Sequence, residues 1–310
     1  MQRKQSLSIH PARTTPITRP GFTLVELLVV IGIIGVLIGF TMPVLSKARQ
    51  RGVAVQCASN LHQIAIGWQM YAQAYKGISV PARMPLIRGS RNLYDIGNGP
   101  TYRPRWYEFL AAQAKHFAFS EPSPADDDDR EIENPVFLCP GVPDWKNARN
   151  YCYGYNHQFL GNARQKTNGK YINYPVNTAR IRAAETVLAA DSMGTAGGRA
   201  LDARRAYQGN GGRDQGAWGN HGYTLDPPRL TATSDYAEWR HRDPRDRSAP
   251  DPRHHGKTNV AFCDGHVETS ALEDLGYHVR VTGRIDVDDF RCRNNKFSGT
   301  GRDDDPPSVQ

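Results

Sequence analysis

Residues 21–46 begin Gly21-Phe22-Thr23-Leu24-Val25-Glu26-Leu27 and continue as LVVIGIIGVLIGFTMPVLS through Ser46. From Leu27 to Ser46 the chain runs 20 residues without a charge. A helix rises 1.5 Å per residue, so about 20 residues cross the roughly 30 Å hydrocarbon core of a bilayer. This stretch predicts one membrane-spanning helix, and the sequence holds no second run of its kind. A secretory signal has a shorter apolar stretch with a small-residue cleavage site behind it. Here Pro43 and the basic Lys47, Arg49 and Arg51 follow instead.

Outward toward the N-terminus, residues 1–21 hold Arg3, Lys4, Arg13 and Arg19 and no acid. Of the net charge of +8 over 310 residues, that tail carries +4, leaving +4 for the remaining 289. A basic leader before an apolar run predicts a cytoplasmic N-terminus and an exported remainder. The same distribution argues against a nucleic-acid surface, because no cationic excess is concentrated on the body of the chain. With 39% hydrophobic and 23% charged residues, the composition excludes a wholly disordered chain and a many-pass membrane protein.

Glu26 is the informative exception. An acid at the start of a spanning helix costs a few kcal/mol, about 3, if it enters hydrocarbon unpaired. A free amine four residues away would be a suitable partner, and a cut before Phe22 would create one. Gly21-Phe22-Thr23-Leu24-Val25-Glu26-Leu27 resembles the signature of type IV prepilins and type II secretion pseudopilins. The resemblance implies cleavage between Gly21 and Phe22 by a prepilin peptidase, followed by methylation of the new Phe22 amine. It further implies that Glu26 pairs with the N-terminal amine of a neighbouring subunit during assembly. The leader of 21 residues is long beside the shortest leaders of the family, a departure that bears on the subtype and not on the class. A plain signal anchor, with Glu26 marking the membrane edge, is the competing reading.

Beyond the membrane, Ala54, Cys57, Leu61, Ile64, Trp68, Tyr71 and Tyr75 recur at alternating spacings of three and four. That is an apolar stripe along one helical face, expected to pack against the exported head, and Gly77 is the stop signal. A helix from Phe22 to about Lys76 would be roughly 80 Å long, with bends expected at Pro43 and Gly52. The expected organisation is α+β. A leader of residues 1–21 precedes a helix of 22–76, with 22–46 transmembrane and 47–76 amphipathic. A largely antiparallel β head follows over 77–295, then a solvated, mobile tail over 296–310.

Within the head, Pro135–Cys139, Thr186–Ala190 and Val279–Val281 read as strands. Asn259–Thr269 reads as a hairpin turning at Asp264-Gly265 with a two-residue loop, both central residues at positive φ. That register sets Phe262 opposite Val267 and Cys263 opposite His266. His254, nine intervening residues and Asp264-Gly265 resemble the His-x9-Asp-Gly element of large pilin-like proteins, spanning 254–269 here. Cys57-x-x-Asn60-Leu61 and Phe137-Leu-Cys139-Pro140 also resemble recurrent elements of that group.

His254, His255, Cys263, Asp264 and His266 crowd one short stretch, and such residues bind zinc. Asp264 is committed to the turn, however, so the expectation is hairpin packing with His254 bonded locally, no metal site and no cofactor. The four aspartates Asp126–Asp129 read as a solvated acidic loop. The five cysteines have no CxxC pair and their connectivity stays open. No nucleophile elbow or Ser/His/Asp arrangement is evident, so no catalytic residue is expected. These readings imply a structural pilin-like subunit of a type II secretion or type IV pilus assembly. Its partners would be the prepilin peptidase/methyltransferase, other pilin-like subunits, the assembly machinery and the bacterial inner membrane. The alternative is a membrane-tethered exported binding or hydrolytic domain that uses the leader for sorting.

Overall fold

The computed structural model describes residues 21–83, 94–97, 104–114, 117–119, 131–142, 151–161, 163–165, 171–173, 176–205, 216–235, 243–286 and 289–308. The leader before Gly21 and the acidic run Asp126–Asp129 lie outside them. The described chain is α+β: a long N-terminal apolar helix and an antiparallel sheet head.

Helix α1 is Leu24–Ala74 and continues through Pro43 and Gly52 without interruption. The chain divides into two compact units, residues 1–48 and 49–310. In the first, the large apolar side chains from Phe22 to Leu45 are 44–74% exposed. In the second, the expected stripe is inside: Cys57, Leu61, Ile64, Trp68 and Tyr71 are buried, while Tyr75 at the end is exposed. Burying each such side chain contributes about 1.5–3 kcal/mol, so the face fastens this half of the helix to the head. Lys76 and Gly77 take φ of 54° and 79°, and the Gly77 amide reaches back to the Ala72 carbonyl at 2.7 Å. This left-handed pair closes the helix where the stop signal was expected.

Helix α2, Trp106–Ala114, packs Trp106, Tyr107, Phe109 and Leu110 into the core beside α1. Glu108 accepts from the Arg105 amide at 2.7 Å and so caps its first turn. The strands are β1 (Tyr153–Tyr155), β2 (Ala163–Gln165), β3 (Tyr171–Asn173), β4 (Val187–Gly194), β5 (Ala249–Pro250), β6 (Thr258–Phe262) and β7 (Val267–Ser270). The main sheet runs β1-β4-β6-β7 with β5 also on β4, and β2 pairs with β3 apart from it. Every pairing is antiparallel.

The sheet lies between two apolar clusters. One gathers α1, α2, Leu188, Ala189, Ala261 and Cys263, and the other gathers Val187, Ala190, Val260, Phe262, Leu275 and Phe297. The β4–β6 register shifts between Val187 and Ala189, which lets two successive residues, Leu188 and Ala189, join the helix side. A central strand with both faces covered shows no polar alternation, and β4 is buried along its whole length.

Four expectations need correction. Pro135–Phe137 is a 3-10 turn, not a strand: Pro135 occupies its first turn and the Asn134 side chain accepts from the Val136 amide at 3.0 Å. Val279 forms only an isolated bridge to Ile285. The hairpin loop has three residues, Cys263-Asp264-Gly265, with Gly265 alone at positive φ (100°). The Phe262 amide donates to His266 O at 2.9 Å and the Gly265 amide to Phe262 O at 3.0 Å, so a turn plus a left-handed glycine replaces the two-residue loop. The register slips by one: Ala261 opposes Val267, and Phe262 stacks on the His266 ring at 4.3 Å. Finally, the segment expected to be a mobile tail is held down. Phe297 is fully buried, the Val187 amide donates to Lys296 O at 2.7 Å, and Arg229 pairs with Asp303 and Asp305.

Candidate functional site

At the N-terminal end, Gly21 and Phe22 stand exposed ahead of α1. The Thr23 amide and hydroxyl donate to Glu26 Oε2 at 2.8 and 2.7 Å, and the Glu26 amide donates to Thr23 Oγ1 at 3.2 Å. This reciprocal pair is a capping box, legible as Thr-x-x-Glu before an apolar run, a signal the sequence reading passed over. Its carboxylate also complements the positive end of the helix dipole. Oε1 of Glu26 has no bond among the described residues, so a second donor has room there.

The His-x9-Asp-Gly element divides between the two ends of β6. His254, His255, Gly256 and Lys257 form a tight turn in which His254 and Lys257 exchange both backbone bonds, at 2.9 and 3.1 Å. His255 and Gly256 take φ of 55° and 78°, as a two-residue hairpin turn requires. At the far end, exposed Asp264 Oδ1 accepts from the half-buried His266 amide at 3.1 Å and meets His266 Nδ1 at 2.6 Å. Gly265 O accepts from His62 Nδ1 at 2.8 Å and Cys263 O from Gln69 Nε2 at 3.2 Å. Near the first end Asn259 Nδ2 donates to Ala54 O at 3.0 Å, so β6 is tied to α1 along its length.

His254 was expected to bond locally. Its ring instead meets residues far off in sequence: Nε2 lies 3.2 Å from Asp191 Oδ2 and 3.6 Å from Cys139 Sγ. Cys57 Sγ donates to Asp191 Oδ1 at 2.9 Å. Polar atoms of Cys57, Cys139, Asp191 and His254 all lie within 4.8 Å of one another, and all four residues are buried. Each comes from a different element: α1, the segment after the 135–137 turn, β4 and the turn before β6. Cys263 and His266 take no part.

Supporting bonds fix this cluster. The Asn259 amide donates to Asp191 Oδ2 at 2.8 Å and the Tyr153 hydroxyl to Cys57 Sγ at 3.3 Å. Asn60 Nδ2 donates to Pro135 O and Leu138 O, each at 2.9 Å, and so pins the residues leading into Cys139 to α1. The neighbouring Cys57 and, after it, His254 draw the Cys139 thiol below its usual value against the effect of burial. Burial opposes charge on His254, yet its bonds to Asp191 and Cys139 outweigh that and raise it to about 9. A cleft of about 510 Å³, bordered by Arg49, Val53, Gly141, Arg253, His254 and His255, opens beside the cluster.

The described N-terminus is a capped helix, long and apolar enough to cross a membrane, opened by Gly-Phe-Thr-Leu-Val-Glu. Residues 19–42 match the family model of the prokaryotic N-terminal methylation motif. No curated protein and no solved structure matches the chain.

Proposed function

We propose that the chain is a structural pilin-like subunit of a type II secretion or type IV pilus-like envelope assembly, building rather than catalysing. In this reading a prepilin peptidase cuts between Gly21 and Phe22 and the Phe22 amine is then methylated. The helix holds the chain in the inner membrane as a single pass, with its head on the far side from the cytoplasm. The exposure of every large apolar side chain from Phe22 to Leu45 carries the proposal. At about 1.5–3 kcal/mol for each side chain kept from water, this row would cost tens of kcal/mol in solvent. Lipid covers it before assembly and the same segments of neighbouring subunits cover it afterwards.

Glu26 supplies the register. Its Oε1 takes the Phe22 amine of the neighbouring subunit, a charge pair made where water is scarce and Coulomb attraction is strong. The head, roughly 230 residues, favours a minor or specialised subunit.

Glu26→Val in cells is the test. The variant is expected to be trimmed to Phe22 like the wild type but to be missing from sheared filaments and from crosslinked subunit ladders. Assembly at the wild-type level would refute the proposal and favour a tethered exported domain, for which Glu26 is only a helix cap.

A further inference from the structure

We infer that Cys57, Cys139, Asp191 and His254 form a closed, structural zinc site at the junction of α1 with the head. The donor set is two sulfurs, one carboxylate oxygen and one imidazole nitrogen, the mixture that a borderline-soft, tetrahedral ion accepts. Zinc–sulfur bonds of about 2.3 Å and zinc–nitrogen or –oxygen bonds of about 2.0–2.1 Å imply ligand separations of about 3.3–3.8 Å in a tetrahedron. The sulfur–nitrogen separation is 3.6 Å and the nitrogen–oxygen separation 3.2 Å. Cys57 Sγ lies 2.9 Å from the other carboxylate oxygen, Asp191 Oδ1, a thiol hydrogen bond that the metal would replace, and the four ligand atoms all lie within 4.8 Å of one another.

A nucleophilic triad is the other arrangement these residue types suggest, and the geometry disfavours it. In a triad the imidazole bonds the carboxylate through one nitrogen and the nucleophile through the other. Here Asp191 and Cys139 approach the same atom, His254 Nε2. Donors converging on one point suit a central cation.

The surroundings match a metal site as well. The Asn259 amide and the Tyr153 hydroxyl orient Asp191 and Cys57 from outside the set, as outer partners of metal ligands do. Four protein donors fill a tetrahedron, which marks a structural rather than a catalytic centre. The cleft at His254 gives the ion a route in. Binding needs both sulfurs as thiolates and the imidazole neutral, so any protons on the Cys57 and Cys139 thiols and on His254 leave to solvent as the ion enters. No electrons are transferred. The competing fate, which needs an external two-electron oxidant such as a dithiol-disulfide oxidoreductase, is loss of two protons and two electrons from Cys57 and Cys139 to give a disulfide, which removes both thiolates from the set.

The experiment uses the full chain, extracted in detergent from membranes without chelator and with thiols protected. Elemental analysis is expected to find one zinc per chain. Cobalt(II) exchanged into the site should give a thiolate-to-cobalt band and the intense visible bands of a tetrahedral ion. Cys139→Ser and His254→Gln should lose the metal at least tenfold, and Cys292→Ser should keep it. Because those variants could fail to fold, the wild type is also melted with a strong chelator and with zinc restored. A fall in the midpoint that zinc reverses is the expected result. Any of three findings overturns the assignment: a reduced chain that neither carries nor takes up zinc, a Cys57–Cys139 disulfide in protein taken directly from membranes, or full zinc retention by both variants.

Discussion

Asn60 is a small residue with a large structural task, and replacing it separates hydrogen bonding from packing. Its side chain is buried, and Nδ2 donates to Pro135 O and Leu138 O at 2.9 Å each. Asn60→Ala takes the side-chain donor from both carbonyls, but Pro135 O keeps the Leu138 amide at 3.2 Å, so the loss is about 1–3 kcal/mol, mostly for Leu138 O. Asn60→Asp keeps the shape but sets a carboxylate against the same two carbonyls, for a loss near neutral pH of about 3–5 kcal/mol. Burial raises the folded pKa of the introduced carboxyl above its unfolded value of about 3.9. The extra penalty is therefore absent below that value and grows as pH rises through the folded pKa. Thermal melts of the full chain in detergent check this. At about 2–4 °C per kcal/mol for a head of this size, the midpoint should fall by roughly 6–20 °C at pH 8 for Asn60→Asp. The gap between the Asp and Ala variants should close toward pH 4. An aspartate variant as stable as wild type at pH 8, or a gap unchanged with pH, would refute the argument.

Two further outcomes are expected. Gly276→Ala requires an ordinary side chain at φ of 93°, with its Cβ driven against the Arg293 carbonyl. Backbone strain of about 1–3 kcal/mol plus that clash should cut the yield of folded chain in a protease-resistance assay, and wild-type resistance would contradict it. Arg229→Gln releases the pairs to Asp303 and Asp305, which are part-exposed and worth up to about 1 kcal/mol. Limited proteolysis should then cut sooner near residues 296–308. Burial works against the Asp303 charge, but the Asn294 amide and Arg229 outweigh it and hold its pKa below the ordinary value. The contribution is thus present above that ordinary value of about 3.9 and is lost as pH falls through the lower folded one. Protection of the wild-type segment should fade in acid, and equal protection of variant and wild type would count against the pairs.

What the sequence made legible was what repeats with a period or sits in one unbroken run. The uncharged stretch after Glu26 and the three-four stripe from Cys57 to Tyr71 each report a helix face directly, and both stand where they were expected. The strand at Thr186–Ala190 was visible as an apolar run, though β4 continues to Gly194. Harder features depended on one residue's backbone state. Asp264-Gly265 suggests a two-residue loop, but only Gly265 adopts a left-handed φ, and that moves the register by one. Pro135 and Asn134 favour a 3-10 turn over the strand that Val136 to Cys139 suggests. Phe297, among polar neighbours, gives no periodic signal that it fills the core. The buried cluster joins positions 57, 139, 191 and 254. Three of its members lie in elements that drew notice separately, whereas Asp191 follows an apolar run with nothing local to mark it.

The proposed processing and use of this chain as a pilin-like subunit would leave its mark at the N-terminus. Mass spectrometry of the N-terminal peptide, on protein recovered from cell membranes, is expected to find a chain that begins at methylated Phe22. An intact Met1, or a cut beyond Leu45, would contradict the account.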